Sequence, residues 1–208
     1  MIVPSMTRSE ILKELHSDYD VVNRKVQFMM PKVIRENIKA KAHPFVFTTD
    51  YITPKSKNNW IFAWDCRTKR VKEIYTTFIN YHYTSKGLRA VMVTEKKEFA
   101  FFTGHFFSRY DEREKLNIIQ PLEKVKAFFK QNPYLNINSR GTELENNVFE
   151  FIGAVNSGTV LGIRGIDNVV FCNTYLSNEM LKGEQIDIHK ELKGELGKYH
   201  LMKKSGEI

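Results

Sequence analysis

Ile74-Tyr75-Thr76-Thr77-Phe78-Ile79-Asn80-Tyr81-His82-Tyr83-Thr84, then Ser85-Lys86-Gly87, then Leu88-Arg89-Ala90-Val91-Met92-Val93-Thr94: two β-branched and aromatic runs surround a short polar turn. The runs read as antiparallel strands, and Gly87 stands where a hairpin turn asks for left-handed backbone. Upstream, residues 45–49 and 60–64 pair across the polar loop Pro54-Lys55-Ser56-Lys57-Asn58-Asn59. Downstream, residues 99–103 follow across Glu95-Lys96-Lys97-Glu98. Together these runs predict an antiparallel meander of about five strands.

Helical signals lie on both sides of the meander. Thr7-Arg8-Ser9-Glu10 has capping-box spacing, and Ile11, Leu12, Leu15, Tyr19, Val22 and Val26 recur at intervals of three and four. Pro31 is expected to break that helix and open a second through Val33, Ile34 and Ile38, which His43-Pro44 ends. Beyond the meander, residues 105–115 and 121–130 predict two helices, the second opened by Pro121 and stopped by Asn132-Pro133. Residues 136–147 read as a polar loop or short linker. A second meander is expected over 148–155, 159–164 and 169–175, with turns at Asn156-Ser157-Gly158 and Gly165-Ile166-Asp167-Asn168. Short helices over 178–182 and 186–196 follow, the last weakened by Gly194 and Gly197. Strands and helices do not alternate as in a parallel α/β fold. The expected class is α+β: antiparallel sheet or sheets, N-terminal helices and a central helical pair packed on the sheet. One domain is expected, with a helical segment over 1–43, sheet and central helices over 44–177, and a helical tail over 178–208.

Composition narrows the function classes. A hydrophobic share of 42% with 27% charged residues excludes disorder, collagen and coiled coil as the main class. Apolar runs are short, so no membrane partner is expected. Met1-Ile2-Val3-Pro4-Ser5 lacks the charged-then-apolar layout of a secretory signal. Cys66 and Cys172 are too few for a disulfide framework or a cysteine zinc site, and a reducing, cytoplasmic setting is expected.

The net charge of +8 is unevenly spread. Residues 51–100 carry ten Lys and Arg against four acids, and the tyrosines and tryptophans of the same stretch are interleaved with them. Basic residues mixed with aromatics suit a polyanion with stackable bases, so nucleic acid is the expected partner, RNA before DNA. Arg67, Lys69, Arg70, Lys86 and Arg89, with Tyr83, are the candidate contacts. The alternative is that these cations solvate strand edges and turns while the aromatics form core.

The sharpest local pattern is Gly104-His105-Phe106-Phe107-Ser108-Arg109-Tyr110-Asp111-Glu112-Arg113. On a helix His105, Arg109 and Arg113 share one stripe, while Phe106, Phe107 and Tyr110 face the sheet. A histidine transfers protons near neutral pH, and two guanidiniums hold a phosphate and stabilise a pentacovalent transition state. The same stripe also reads as a surface helix whose arginines pair with Asp111, Glu112 and Glu114. His82, on the strand beside the hairpin turn, offers a second proton-transfer group if that strand lies under the helix. Thr174 and Ser177 offer hydroxyls for phosphate at the end of the last strand, with Ser177 also placed to N-cap the helix expected over 178–182.

Metal and nucleotide-cofactor chemistry find no comparable pattern. The six histidines have no HExxH or His-x-His spacing, and no GxxxxGK[ST] or GxGxxG occurs. Asp65 with Glu95-Lys96-Lys97 is a weak echo of metal-dependent endonucleases and reads better as a turn. No metal and no cofactor is expected.

Helices before an antiparallel sheet, and a helix bearing His105, Arg109 and Arg113 with Thr174 and Ser177 nearby, resemble the RelE/barnase-like toxin ribonucleases. The resemblance spans roughly residues 74–177. It implies metal-independent RNA cleavage, a toxin or mobile-element setting, and a neutralising protein partner. Two other readings stay open: a non-catalytic nucleic-acid-binding or phage-type accessory protein, and an interaction protein whose aromatics form an interface.

Overall fold

In the computed structural model, which describes residues 1–94, 97–138, 143–144, 148–165 and 169–205, the Thr7–Glu10 box closes as its spacing predicts. The Thr7 hydroxyl accepts from the Glu10 N–H at 3.4 Å, and the Glu10 carboxylate accepts from the Thr7 N–H at 2.7 Å. Helix α1 then runs over Arg8–Lys39. Pro31 lies inside it and does not end it, so the two N-terminal helices expected are one. Pro31 and Gln27 both lie on the exposed side of the helix, where the backbone bond that the missing proline N–H cannot make costs less than in the core.

Strands β1 (Phe45–Ile52), β2 (Asn59–Cys66), β3 (Ile74–Thr84), β4 (Gly87–Val93) and β5 (Phe99–Phe102) form an antiparallel meander. Thr84 pairs with Gly87 at the hairpin, and Gly87 has φ +100°, the left-handed backbone the turn requires. Helices α2 (Gly104–Arg113) and α3 (Pro121–Gln131) follow. Then come β6 (Asn136–Asn138), β7 (Phe149–Ala154), β8 (Gly158–Arg164), β9 (Val169–Ser177) and α4 (Glu184–Ser205). The stretch expected as a loop over 136–147 thus contributes β6, and most of its remainder lies outside the described residues. Glu95 and Lys96 of the turn before β5, and Ile166, Asp167 and Asn168 before β9, also lie outside them.

The two meanders share one sheet. β5 pairs with β9 in parallel, from Phe99↔Val169 to Phe102↔Cys172. The strand order is β1-β2-β3-β4-β5-β9-β8-β7-β6, and every other pairing is antiparallel. The fold is α+β: among the described residues, four helices and a nine-stranded, mostly antiparallel sheet.

Burial on both faces explains why the inner strands read as nearly continuous apolar runs. Trp60, Phe62 and Trp64 of β2 pack with Ile11, Leu15, Tyr19, Val22 and Val26 of α1. Ile61 and Ala63, pointing the other way, join Phe106, Tyr110, Phe128 and Phe129 of α2 and α3. Helix α4 lies against β6 and β7; its buried His189 places Nδ1 2.9 Å from Thr159 Oγ1, and Asn136 Nδ2 donates to the Leu192 carbonyl at 2.9 Å.

One buried carboxylate ties α1 to the sheet. Asp18 accepts from Ser56 Oγ at 2.6 Å, Asn58 Nδ2 at 2.7 Å, Trp60 Nε1 at 3.3 Å and Thr53 Oγ1 at 3.4 Å. The β1–β2 loop is thereby folded down onto the helix. Asp18→Ala leaves the buried Asn58 amide and Trp60 indole without this acceptor, at about 1–3 kcal/mol each. Urea unfolding is therefore expected to show a loss of about 3 kcal/mol for Asp18→Ala and little change for the exposed Asp20→Ala. Equal midpoints for Asp18→Ala and wild type contradict this role.

Candidate nucleic-acid interface

Helix α2 owes its orientation to its start and its aromatic side. Thr103 is the N-cap, its hydroxyl accepting from the Phe106 N–H at 3.2 Å. Gly104 follows where a Cβ atom would stand 3.1 Å from the Leu88 carbonyl oxygen, so the helix begins hard against β4. Phe106, Phe107 and Tyr110 are buried, with ring centroids of Phe106 and Phe102 5.0 Å apart and those of Tyr110 and Tyr175 5.2 Å apart. With that side fixed, the 3.6-residue period turns His105, Arg109 and Arg113 outward as one stripe. His105 is exposed; Arg109 and Arg113 are half-exposed.

The stripe meets the end of β9. Arg113 Nη1 donates to Thr174 Oγ1 at 3.4 Å, joining two predicted residues 61 positions apart. Arg109 is occupied closer to home, donating to Glu112 Oε2 at 2.9 Å. Ser177 takes the N-cap position of the 3-10 turn Asn178–Met180 without a side-chain capping bond. Tyr83 and Lys86 lie at the same end of the sheet as the start of α2. Tyr83 pairs with Leu88, whose backbone abuts Gly104; its ring is on the α2 side of the sheet, and both Tyr83 and Lys86 are exposed.

Under the C-terminal end of α2 sits a polar group that no spacing rule marks. The Tyr175 hydroxyl lies 2.6 Å from Glu114 Oε1 and 2.8 Å from Ser157 Oγ. A phenol has one proton, so when it goes to Glu114 the Ser157 hydroxyl can turn its own to the Tyr175 oxygen. Burial, and then the Glu114 carboxylate, hold the Tyr175 phenol well above its ordinary range. Asn132 Oδ1 accepts from both the N–H and hydroxyl of Ser157, at 2.9 and 3.0 Å, and fastens the end of α3 to the β7–β8 turn. The buried Tyr110 hydroxyl donates to Gln131 Oε1.

His82 stands elsewhere. Along β3, Phe78, Asn80 and His82 share the face covered by α1, where Phe78 packs on Tyr19; Ile79 and Tyr81 face α2 and α3. The expectation that the His82 strand presents this ring beneath the helix is corrected by that alternation, because α2 lies on the opposite side. His82 is buried, its Nδ1 3.1 Å from Asn80 Oδ1 and its Nε2 without a partner among the described residues. Burial, then the charge of Arg89 paired across the ladder, pushes its pKa down to about 4. Arg89 shares that α1 side.

Arg67, Lys69 and Arg70 lie at the other end of β3, separated from the hairpin turn by an eleven-residue strand, roughly 33 Å. Arg67 Nε donates to the buried Asp65 Oδ2 at 2.9 Å, and its guanidinium lies 5.1 Å from the Tyr134 ring centroid. Arg70 is 3.8 Å from Glu73 Oε1, while Lys69 is exposed. The predicted residues therefore divide into three groups: Arg67, Lys69 and Arg70 at the far end of β3, His82 and Arg89 on the α1 side of the hairpin, and Tyr83, Lys86, His105, Arg109, Arg113, Thr174 and Ser177 beside α2.

Among the described residues no three His, Cys, Asp or Glu side chains cluster as a metal site, and no helix is long and apolar enough to cross a membrane. The chain matches no family model, no curated protein and no solved structure.

The depressed His82 sets the sign of a pH effect. Unfolded, it titrates near 6.5; folded, near 4, so the unfolded chain binds the extra proton in between. The stability it supports is full above about pH 6.5 and falls by roughly 3 kcal/mol as pH drops to 4. Urea unfolding at about pH 7 and about pH 5 is expected to show a smaller loss for His82→Gln than for wild type. Buried His189, also shifted down by burial, accounts for part of the remaining slope. An equal loss in both proteins contradicts the assignment.

Proposed function

We propose that the protein acts on nucleic acid, RNA before DNA, as a metal-independent endoribonuclease working on the outer side of α2. The observation that carries this reading is the division of that helix. Its aromatics are consumed by the core, while His105, Arg109 and Arg113 are turned out, with Arg113 already at Thr174. Two guanidiniums and a hydroxyl suit a phosphodiester, and Tyr83 with Lys86 extends the surface for a neighbouring base and phosphate. In this mechanism the 2′-hydroxyl attacks the adjacent 3′-phosphorus, His105 takes its proton and returns it to the departing 5′-oxygen as the P–O5′ bond breaks, and the arginines stabilise the charge on the pentacovalent oxygens. The 5′-oxygen leaves with a proton and a 2′,3′-cyclic phosphate remains. A toxin of this kind calls for a protein partner that covers the stripe.

A second reading, binding without cleavage, is favoured by two placements. His82 is on the far side of the sheet, and Arg109 is held by Glu112.

RNA incubated with the protein in EDTA is expected to be cut, leaving cyclic or 3′-phosphate ends. His105→Ala is expected to lose about 10²–10⁴-fold in rate while staying folded. Arg113→Lys should also be damaging, because an ammonium cannot reproduce a two-pronged grip on phosphate. Cleavage that vanishes on chelation, or survives His105→Ala unchanged, sinks the mechanism. Salt-sensitive binding without any cleavage establishes the second reading.

A further inference from the structure

The outermost strand of the meander has one side bonded and one side open. Among the described residues β1 pairs only with β2, in unbroken register from Phe45↔Cys66 to Ile52↔Asn59. Along its outer edge, alternate N–H and C=O groups have no strand partner among the described residues. Proteins blunt such edges with lysines, prolines, bulges or very short strands. None of these interrupts Phe45-Val46-Phe47-Thr48-Thr49-Asp50-Tyr51-Ile52. Its one charge, Asp50, is taken by Lys126 Nζ at 2.9 Å. Exposed apolar side chains flank it on both faces: Ile52, 58% exposed, on the α3 side and Phe28, 78% exposed, on the α1 side. Lys25 places Phe28 next to this strand, its ammonium 4.9 Å from the Phe28 ring centroid and 5.6 Å from that of Tyr51.

We propose that the β1 edge is a dimer interface, occupied by β1 of a second copy of this chain running antiparallel across a twofold axis. An open ladder selects a strand, and the sequence of this one is complementary to itself. Residues paired across an antiparallel ladder share a face, so the axis passes through a residue position, and the registers that pair most of this eight-residue strand centre on Thr49 or on Thr48. In the first register Phe47 lies opposite the partner's Tyr51 and Asp50 opposite the partner's Thr48. In the second, Phe45 lies opposite the partner's Tyr51 and Asp50 opposite the partner's Val46. Neither brings like charges together, and both join aromatic side chains on the α1 side, where Phe45 and Phe47 already stack at 5.2 Å. The result is a continuous sheet through both copies. This inference does not depend on the protein acting on RNA.

Sedimentation equilibrium of the full chain over a wide concentration range is expected to show a dimer that dissociates on dilution. Thr48→Glu puts a carboxylate opposite the partner's Asp50 in one register and opposite its own counterpart in the other. Dimerisation should therefore weaken by about tenfold or more, with thermal unfolding monitored to confirm the fold. Thr48→Lys strengthens association in the first register and weakens it in the second, so either shift supports the interface and names the axis. Amide exchange in wild-type β1 should slow as concentration rises. A monomer at every concentration, or a dimer indifferent to both substitutions, overturns the proposal.

Discussion

Four residues of parallel pairing hold the architecture together. β5, Phe99-Ala100-Phe101-Phe102, is buried throughout, and its ladder with β9 joins the two meanders into one sheet. Parallel neighbours need a long crossover, and here α2, α3 and β6–β8 supply it. Phe102 anchors that crossover: its ring lies 5.0 to 5.9 Å from those of Phe106, Phe107, Phe128 and Phe129. Each such ring pair contributes about 0.5–1.5 kcal/mol beyond its buried area. Because α2 leaves β5 and settles over β9, Arg113 comes to Thr174 and Glu114 to Tyr175. The proposed RNA surface is therefore a consequence of the seam.

The two faces of the sheet treat ionisable groups differently. On the α1 side Asp18 is buried and answered by four donors, whereas His82 is buried with one nitrogen unanswered among the described residues and stays neutral near pH 7. Both are closed to solvent. On the α2 side the cations stay at the surface and the buried hydroxyls of Tyr110 and Tyr175 secure the helix from beneath. A histidine exposed on a helix pinned by aromatic packing is available for chemistry in a way that His82 is not.

Local signals carried far in this chain. The 84–87 hairpin with its left-handed Gly87, the Thr7–Glu10 cap and the outward stripe on α2 depend on residues within two turns or one hairpin, and all were legible from spacing. Pro31 misled because a proline weakens a helix without always ending it, and an exposed one within 32 helical residues packed on a sheet is tolerated. Strand order was beyond reach, since the β5–β9 pairing joins segments about 70 residues apart and leaves no periodic trace. His82 illustrates the consequence. Alternation showed which neighbours share its face, but only the position of α1 and α2 decides which face that is. Tyr175, Glu114 and Ser157 escaped notice for the same reason, as ordinary residues whose meaning comes from tertiary contact.

The most direct test of an RNA surface on α2 is a titration of ¹⁵N-labelled protein with a single-stranded RNA carrying 2′-O-methyl groups, which binds without being cut. Amide shifts are predicted to concentrate at the Tyr83–Gly87 turn, along Gly104–Arg113 and at Thr174–Ser177. Shifts confined to the opposite end of the sheet, around Arg67–Glu73, or no shifts at all, contradict the account.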